Sequence, residues 1–149
     1  MNSEHLNLDD SCRRVDHIAI AVRDIESALP LYKLLGFALQ DIDEVESEQV
    51  RVAKLHAENV TIELLEPLTE ASTVHKFLET NGPGLHHICL EADDLDETLT
   101  QLEQNGFEPV YDAPKQGAEK RNINFLHPDD TCGVLIELQQ ATDTNSSTP

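Results

Sequence analysis

The feature that most constrains this chain is that it repeats itself. The segment His17-Ile18-Ala19-Ile20-Ala21-Val22-Arg23-Asp24-Ile25 can be laid on His87-Ile88-Cys89-Leu90-Glu91-Ala92-Asp93-Asp94-Leu95, a step of 70 residues. The step holds without a gap through Leu29 and Leu99 to Gly36-Phe37 and Gly106-Phe107. Further on the offset drifts, to 71 for Leu55-His56 against Leu126-His127 and to 74 for Ile62-Glu63-Leu64 against Ile136-Glu137-Leu138. Insertions that small belong in loops. A duplication of one unit of roughly 55 residues is the natural explanation.

Within a unit, residues 15–22 and 85–92 are rich in Ile, Val or Leu, as strands should be. Asp24 and Asp94 stand where a helix N-cap belongs, and Gly36 and Gly106 stand where a C′ glycine belongs. Ile25, Leu29 and Tyr32 keep helical spacing in the first copy, and Leu95, Leu99 and Leu102 keep it in the second. Pro30 should kink the first helix or shift its start. Strand-like runs follow near 37–42, 49–56 and 60–66, then near 107–111, 121–127 and 133–139. Each half therefore reads as βαβββ. The fold class expected is α+β, two tandem βαβββ modules forming a curled mixed sheet around a metal-containing cleft.

The domain layout follows from the same pattern. Residues 1–14 are an N-terminal segment, 15–139 a single domain, and 140–149 a polar, disordered tail. Within the domain the modules span about 15–67 and 84–139, joined by a connector over 68–83 with a short helix near Val74–Glu79. The full chain of 149 residues, 39% apolar, suffices for one core but not for two ordinary domains.

Charge and cysteines narrow the setting. Ten Lys plus Arg face 29 Asp plus Glu, a net charge of −19, so phosphate-rich nucleic acid is repelled and excluded as a partner. The acidity fits an acidic cytoplasmic protein first and a high-salt habitat second. No run of ~18 apolar residues is present, and the opening Met1-Asn2-Ser3-Glu4-His5-Leu6 lacks the pattern of a signal peptide, so neither membrane insertion nor secretion is expected. Cys12, Cys89 and Cys132 are odd in number and lack C-x-x-C spacing, which argues against disulfides or a thiolate zinc site and for a reducing compartment.

Four potential ligands occupy equivalent places in the two halves: His17 with His87, and Glu63 with Glu137. Along the strands, Ile62 and Leu64 point one way and Glu63 the other; Ile136, Leu138 and Glu137 repeat the pattern. His17 likewise opposes Ile18 and Ile20, and His87 opposes Ile88 and Leu90. One such residue alone is more often solvated or hydrogen-bonded. Four at duplicated positions make a divalent metal site of two imidazoles and two carboxylates the better account. The donor set suits Co2+, Mn2+, Ni2+, Fe2+ or distorted Zn2+, with coordination places open for water or substrate.

Other residues read more simply. His86 points to the opposite face from His87 and is structural, the alternative being a swapped ligand assignment. His56 and His127, at strand ends, are capping or hydrogen-bonding residues, and His75 is a surface residue. Glu91 shares a face with His87 and could hydrogen-bond near the site, although exposure is the default for a Glu. Cys89 is a small core residue.

The run Asp16-His17-Ile18-Ala19-Ile20-Ala21-Val22 resembles the vicinal oxygen chelate superfamily. Ile62-Glu63-Leu64-Leu65-Glu66-Pro67, Gly84-Leu85-His86-His87-Ile88, Arg121-Asn122-Ile123-Asn124-Phe125-Leu126-His127-Pro128 and Gly133-Val134-Leu135-Ile136-Glu137-Leu138 resemble, within it, the methylmalonyl-CoA epimerase family. The resemblance covers Val15 to Leu138. It implies an isomerase that interconverts (R)- and (S)-methylmalonyl-CoA, ligands His17, Glu63, His87 and Glu137, and cobalt as the favoured ion. Substrate carboxylate and thioester oxygens would chelate the metal, and an acid and a base would act on opposite faces. Some family members carry a glutamate on the third strand where this chain has Val52, so Glu63 and Glu137 become the proton-transfer pair, with Glu48 a weaker alternative. Lys115, Lys120 and Arg121 are the candidates for holding the CoA phosphates, and a homodimer is expected. Glyoxalase I chemistry, a ring-cleaving dioxygenase and a non-catalytic binding module are the competing readings.

Overall fold

The computed structural model describes residues 14–142. The elements run β1 (Arg14–Ala21), α1 (Ile25–Leu34), β2 (Ala38–Val45), β3 (Val50–His56), β4 (Thr61–Pro67), α2 (Thr73–Asn81), β5 (Gly84–Ala92), α3 (Leu95–Gln104), β6 (Lys115–Gln116), β7 (Asn122–Leu126) and β8 (Ile136–Gln140). This is the α+β architecture expected, a βαβββ succession in each half. Of the expected terminal segments, Arg14 opens β1 and Gln140 closes β8; the rest of 1–14 and residues 143–149 lie outside the described residues. By its contacts the chain divides into two units, Asp16–Cys89 and the chain on either side of it.

In the unit Asp16–Cys89 the strand order is β2-β3-β4-β1, with the first part of β5 next. β1 and β4 are parallel, in a register that sets His17 against Thr61 and Ala19 against Glu63. β3 pairs antiparallel with β4 and with β2, the latter across a bulge between Leu39 and Asp41. Asp24 caps α1 by accepting from the Ser27 amide. The helix ends where Gly36 takes φ +97°. There the Phe37 amide donates to Tyr32 and the Gly36 amide to Lys33, the two bonds of a Schellman cap. Pro30 neither moves the helix start nor ends it. It removes one hydrogen bond, while Ile25 and Leu29, both buried, keep the helix on the sheet.

Side-chain alternation gives this unit a core on each face of its sheet. Ile25, Leu29, Ala53, Leu55 and Leu64 pack together under α1. Ala19, Ala21, Val50, Val52 and Leu65 pack on the other face with Val74 and Leu78 of α2. Ser72 starts α2 by accepting from the Val74 amide, so the connector helix that the sequence suggested forms and covers the second face.

In the other unit the order is β5-β8-β7-β6. Asp94 caps α3 by accepting from Glu97, and Gly106 at φ +89° repeats the Schellman bonds, Phe107 to Leu102 and Gly106 to Glu103. Ala92, Leu95, Leu99, Leu126 and Leu138 form its core. The duplication reaches a tertiary contact as well. Glu66 accepts from the Ile25 amide at 2.9 Å, and Gln140, its counterpart, accepts from the Leu95 amide at 2.8 Å.

One expected strand is absent. Residues 107–111 form only an isolated bridge, Pro109 to Leu126, and the sixth strand is the two-residue Lys115–Gln116. Pro109 and Pro114 offer no amide hydrogen to a ladder. Asn124 substitutes for a partner strand: its Oδ1 accepts from the Tyr111 amide at 3.0 Å, and its Nδ2 donates to the Tyr111 carbonyl at 3.1 Å.

Candidate metal centre

His17 enters the site because β1 alternates. Ile20 packs beneath α1, while His17 shares the opposite face with Ala19 and Ala21. Glu63 shares that face with Leu65 on β4, so both polar side chains border the apolar cluster under α2. His17 is 5% exposed and the Glu63 side chain 13%. A carboxylate and an imidazole held this dry need partners, and they have them. Nδ1 of His17 lies 2.8 Å from Oδ2 of Asp16 and 3.2 Å from Oε2 of Glu63.

The other nitrogen of the ring faces the second histidine. Nε2 of His17 and Nε2 of His87 are 3.2 Å apart, with the rings edge-to-face and His87 buried. Nδ1 of His87 in turn lies 2.8 Å from Nδ1 of His86. Each ring is thus held through Nδ1 while the Nε2 atoms converge, the arrangement by which outer partners orient metal-binding imidazoles. With Nδ1–H of His17 donated to carboxylate, its Nε2 presents a lone pair. Two nitrogens ~2.1 Å from one ion at ~100° stand ~3.2 Å apart, so the pair matches ligation of a single divalent ion.

The sequence missed two participants. Alternation sets His86 on the face opposite His87, yet its ring turns back to reach its neighbour and stacks edge-on against Phe77 of α2 at 4.9 Å. Strand alternation fixes where Cβ leaves the backbone, whereas the ring's final position depends on its rotamer. Asp16 is the other, and its signal in the sequence is a carboxylate directly beside a candidate ligand histidine.

Glu137 is the second residue of β8, paired with Phe125 of β7, and is buried, with Ile136 and Leu138 in the core under α3. The three cations differ from one another. Arg121 is largely buried and spent on carboxylates, 3.0 Å from Glu91 and 3.2 Å from Glu119. Glu91 is correspondingly half-buried rather than exposed, and also lies 3.6 Å from Arg14. Lys115 is exposed on β6, its ammonium 4.1 Å from the centroid of the Tyr111 ring. Lys120 is exposed at the end of a 3-10 turn over Ala118–Lys120. His127 caps the turn Pro128–Asp130 by accepting from the Asp129 amide, and His56 bonds Gln40 and Thr61, as their strand-end positions suggested.

This fold and this histidine pair define a class. A family model described as the Glyoxalase/Bleomycin resistance protein/Dioxygenase superfamily matches residues 16–125, and the chain belongs to that superfamily. Within it, the chain is 37% identical over 130 residues to the mitochondrial methylmalonyl-CoA epimerase of Homo sapiens, covering 86% of this chain and 74% of that protein. It is 44% identical over 126 residues to the uncharacterized protein YqjC of Bacillus subtilis, covering 84% and 90%. A solved structure of methylmalonyl-CoA epimerase in complex with methylmalonyl-CoA and NH4+ matches with a TM-score of 0.81 at 35% identity, covering 89% of this chain and 96% of that one.

Proposed function

We propose that this chain is an isomerase that interconverts (R)- and (S)-methylmalonyl-CoA by removing the α-proton on one face and returning it on the other. The observation that carries the reading is the convergence of His17 Nε2 and His87 Nε2 with both Nδ1 atoms engaged. Similarity to epimerases over most of the chain supports it. A divalent ion held by His17, Glu63, His87 and Glu137, Co2+ favoured over Mn2+, Ni2+, Zn2+ or Fe2+, would polarise the thioester and offset the negative charge that develops as the α-proton leaves.

The chain's own side chains divide the remaining work. Asp16 and Glu63 fix the His17 tautomer from Nδ1, and His86 holds the His87 ring. Glu63 and Glu137, at duplicated positions, are the pair that takes and returns the proton; Val52 leaves no carboxylate on β3 at the place where some relatives have one. The CoA phosphates are assigned to Lys115, Lys120 and Arg121, with the lysines carrying most of the attraction because Arg121 already faces two carboxylates. Among the described residues no helix is long and apolar enough to cross a membrane. The working form proposed is a cytoplasmic homodimer with the domain over 15–139.

The test is proton exchange. Incubated with methylmalonyl-CoA in D2O, the Co2+-loaded protein should introduce α-deuterium, read by NMR, and invert the centre, read by chiral analysis of the acid. No exchange, together with isomerisation of a glutathione hemithioacetal, would move the chain to glyoxalase-type chemistry.

A further inference from the structure

His17 has a second nitrogen, and the donors around it form a different set. Nδ1 has the Asp16 carboxylate at 2.8 Å and the Glu63 carboxylate at 3.2 Å. Cys89 stands on β5, the strand next to β1, fully buried and outside any disulfide. Ligand atoms of Asp16, His17 and Cys89 all lie within 4.8 Å of one another. Donors of one tetrahedral ion stand ~3.4–3.6 Å apart when the bonds are ~2.1 Å to N or O and ~2.3 Å to S. To close on an ion the Asp16–His17 pair opens from 2.8 Å, while the Cys89 sulfur, within 4.8 Å of both, draws in. The thiol sets the preference of the cluster, because thiolate ligands select soft metals where imidazole and carboxylate alone do not.

We propose that Asp16, His17 and Cys89, with Glu63 beside them, form a second cation site for a thiophilic divalent ion such as Cd2+, and that its occupancy excludes an ion bound through His17 Nε2. The exclusion follows from the imidazole. A neutral ring offers one lone pair in its plane and carries a proton on the other nitrogen. When Nε2 binds an ion, Nδ1–H donates to Asp16 and Glu63. When Nδ1 binds, that proton moves to Nε2 through solvent, and the ring turns a hydrogen towards His87. Formation of the S–Cd bond releases the Cys89 proton to solvent, and the ion remains divalent throughout. The site would make the protein sensitive to soft metals at the same residue that serves its own ion.

Direct metal binding tests this without any activity measurement, so its failure is distinguishable from failure of the epimerase reading. Cys12→Ser and Cys132→Ser are made first, removing the other thiols, and the chelator-stripped full chain is titrated with Cd2+. A thiolate-to-cadmium absorption band should grow to one equivalent. Cys89→Ser and Cys89→Ala should each lose the band and weaken Cd2+ binding by ~10-fold or more, while Co2+ binding, followed by its visible spectrum, is retained. Added Co2+ should displace Cd2+ and reduce the band. A band that survives in both Cys89 variants, or Co2+ and Cd2+ bound together without mutual displacement, would overturn the proposal. Two variants are used because serine places a hydroxyl in a dry position, whereas alanine removes the sulfur alone.

Discussion

Oε2 of Glu63 lies 3.2 Å from Nδ1 of His17, whereas Nε2 of the same ring lies 3.2 Å from His87. The carboxylate therefore approaches the imidazole from the side away from the second histidine. In this arrangement the carboxylate touches the ring at Nδ1, where it can orient the imidazole in addition to the ligand and proton-transfer roles proposed for it. Its duplicated counterpart Glu137 is the second residue of β8.

Replacing either glutamate separates ligation from proton transfer. Gln can still offer an oxygen but cannot exchange a proton at a useful rate. Glu63→Gln and Glu137→Gln should each slow epimerisation by ~10²–10⁴-fold while the protein still binds Co2+. In D2O, one variant should deuterate one enantiomer without inverting it, and the other should do so from the opposite enantiomer. Parental epimerisation by Glu63→Gln with metal bound would leave Glu63 a positioning residue and make Glu48 the residue to examine.

Metal retention should depend on the histidine pair in two grades. His17→Ala and His87→Ala remove a proposed ligand and should abolish retention through dialysis. Asp16→Ala removes one of the two carboxylates at Nδ1 and should weaken affinity by ~10–100-fold. Bound metal measured by atomic emission after dialysis checks the order; full retention in both histidine variants would remove the assignment.

Of the three cations given to the CoA phosphates, the lysines should matter most. The double charge reversal Lys115→Glu with Lys120→Glu should raise the apparent KM for methylmalonyl-CoA several-fold and spare kcat, with the effect shrinking as salt screens it. Arg121→Ala leaves Glu91 in a half-buried place without its guanidinium and should lower thermal stability instead. Steady-state kinetics at two ionic strengths, together with a melting curve, separates the two outcomes.

Asp24 makes the stability of α1 dependent on acid. Hydrogen bonding from Ser27, first through its hydroxyl, holds the Asp24 carboxyl below its ordinary value. The folded state therefore favours the ionised form. This contribution is complete above the unfolded value of about 3.9 and is lost as pH falls through the lower folded value. Asp24→Ala should lower the melting temperature by a few degrees at pH 6 to 7, and the gap from the parent should narrow below about pH 4. Asp24→Asn, which caps without a charge, should stay near the parent at neutral pH.

Much of this protein is determined by the local pattern of its sequence. The 70-residue repeat implies two βαβββ halves, and α1 and α3 begin at the aspartates and end at the glycines it marks. Alternation along β1, β4 and β8 places His17, Glu63 and Glu137 off the faces that α1 and α3 cover, because successive side chains of a strand leave on opposite sides. That period gives a face and nothing finer. Only the folded chain decides that His17 meets His87 through Nε2, that Asp16 and Glu63 take its Nδ1, and that the His86 ring turns back to its neighbour, since these depend on rotamers set by packing. It likewise decides that Arg121 is consumed by Glu91, thirty residues earlier in the chain, and that Asn124 replaces a strand beside Tyr111. Such pairings join residues distant in sequence, so no local periodicity carries them; they exist only once the strands have fixed their neighbours.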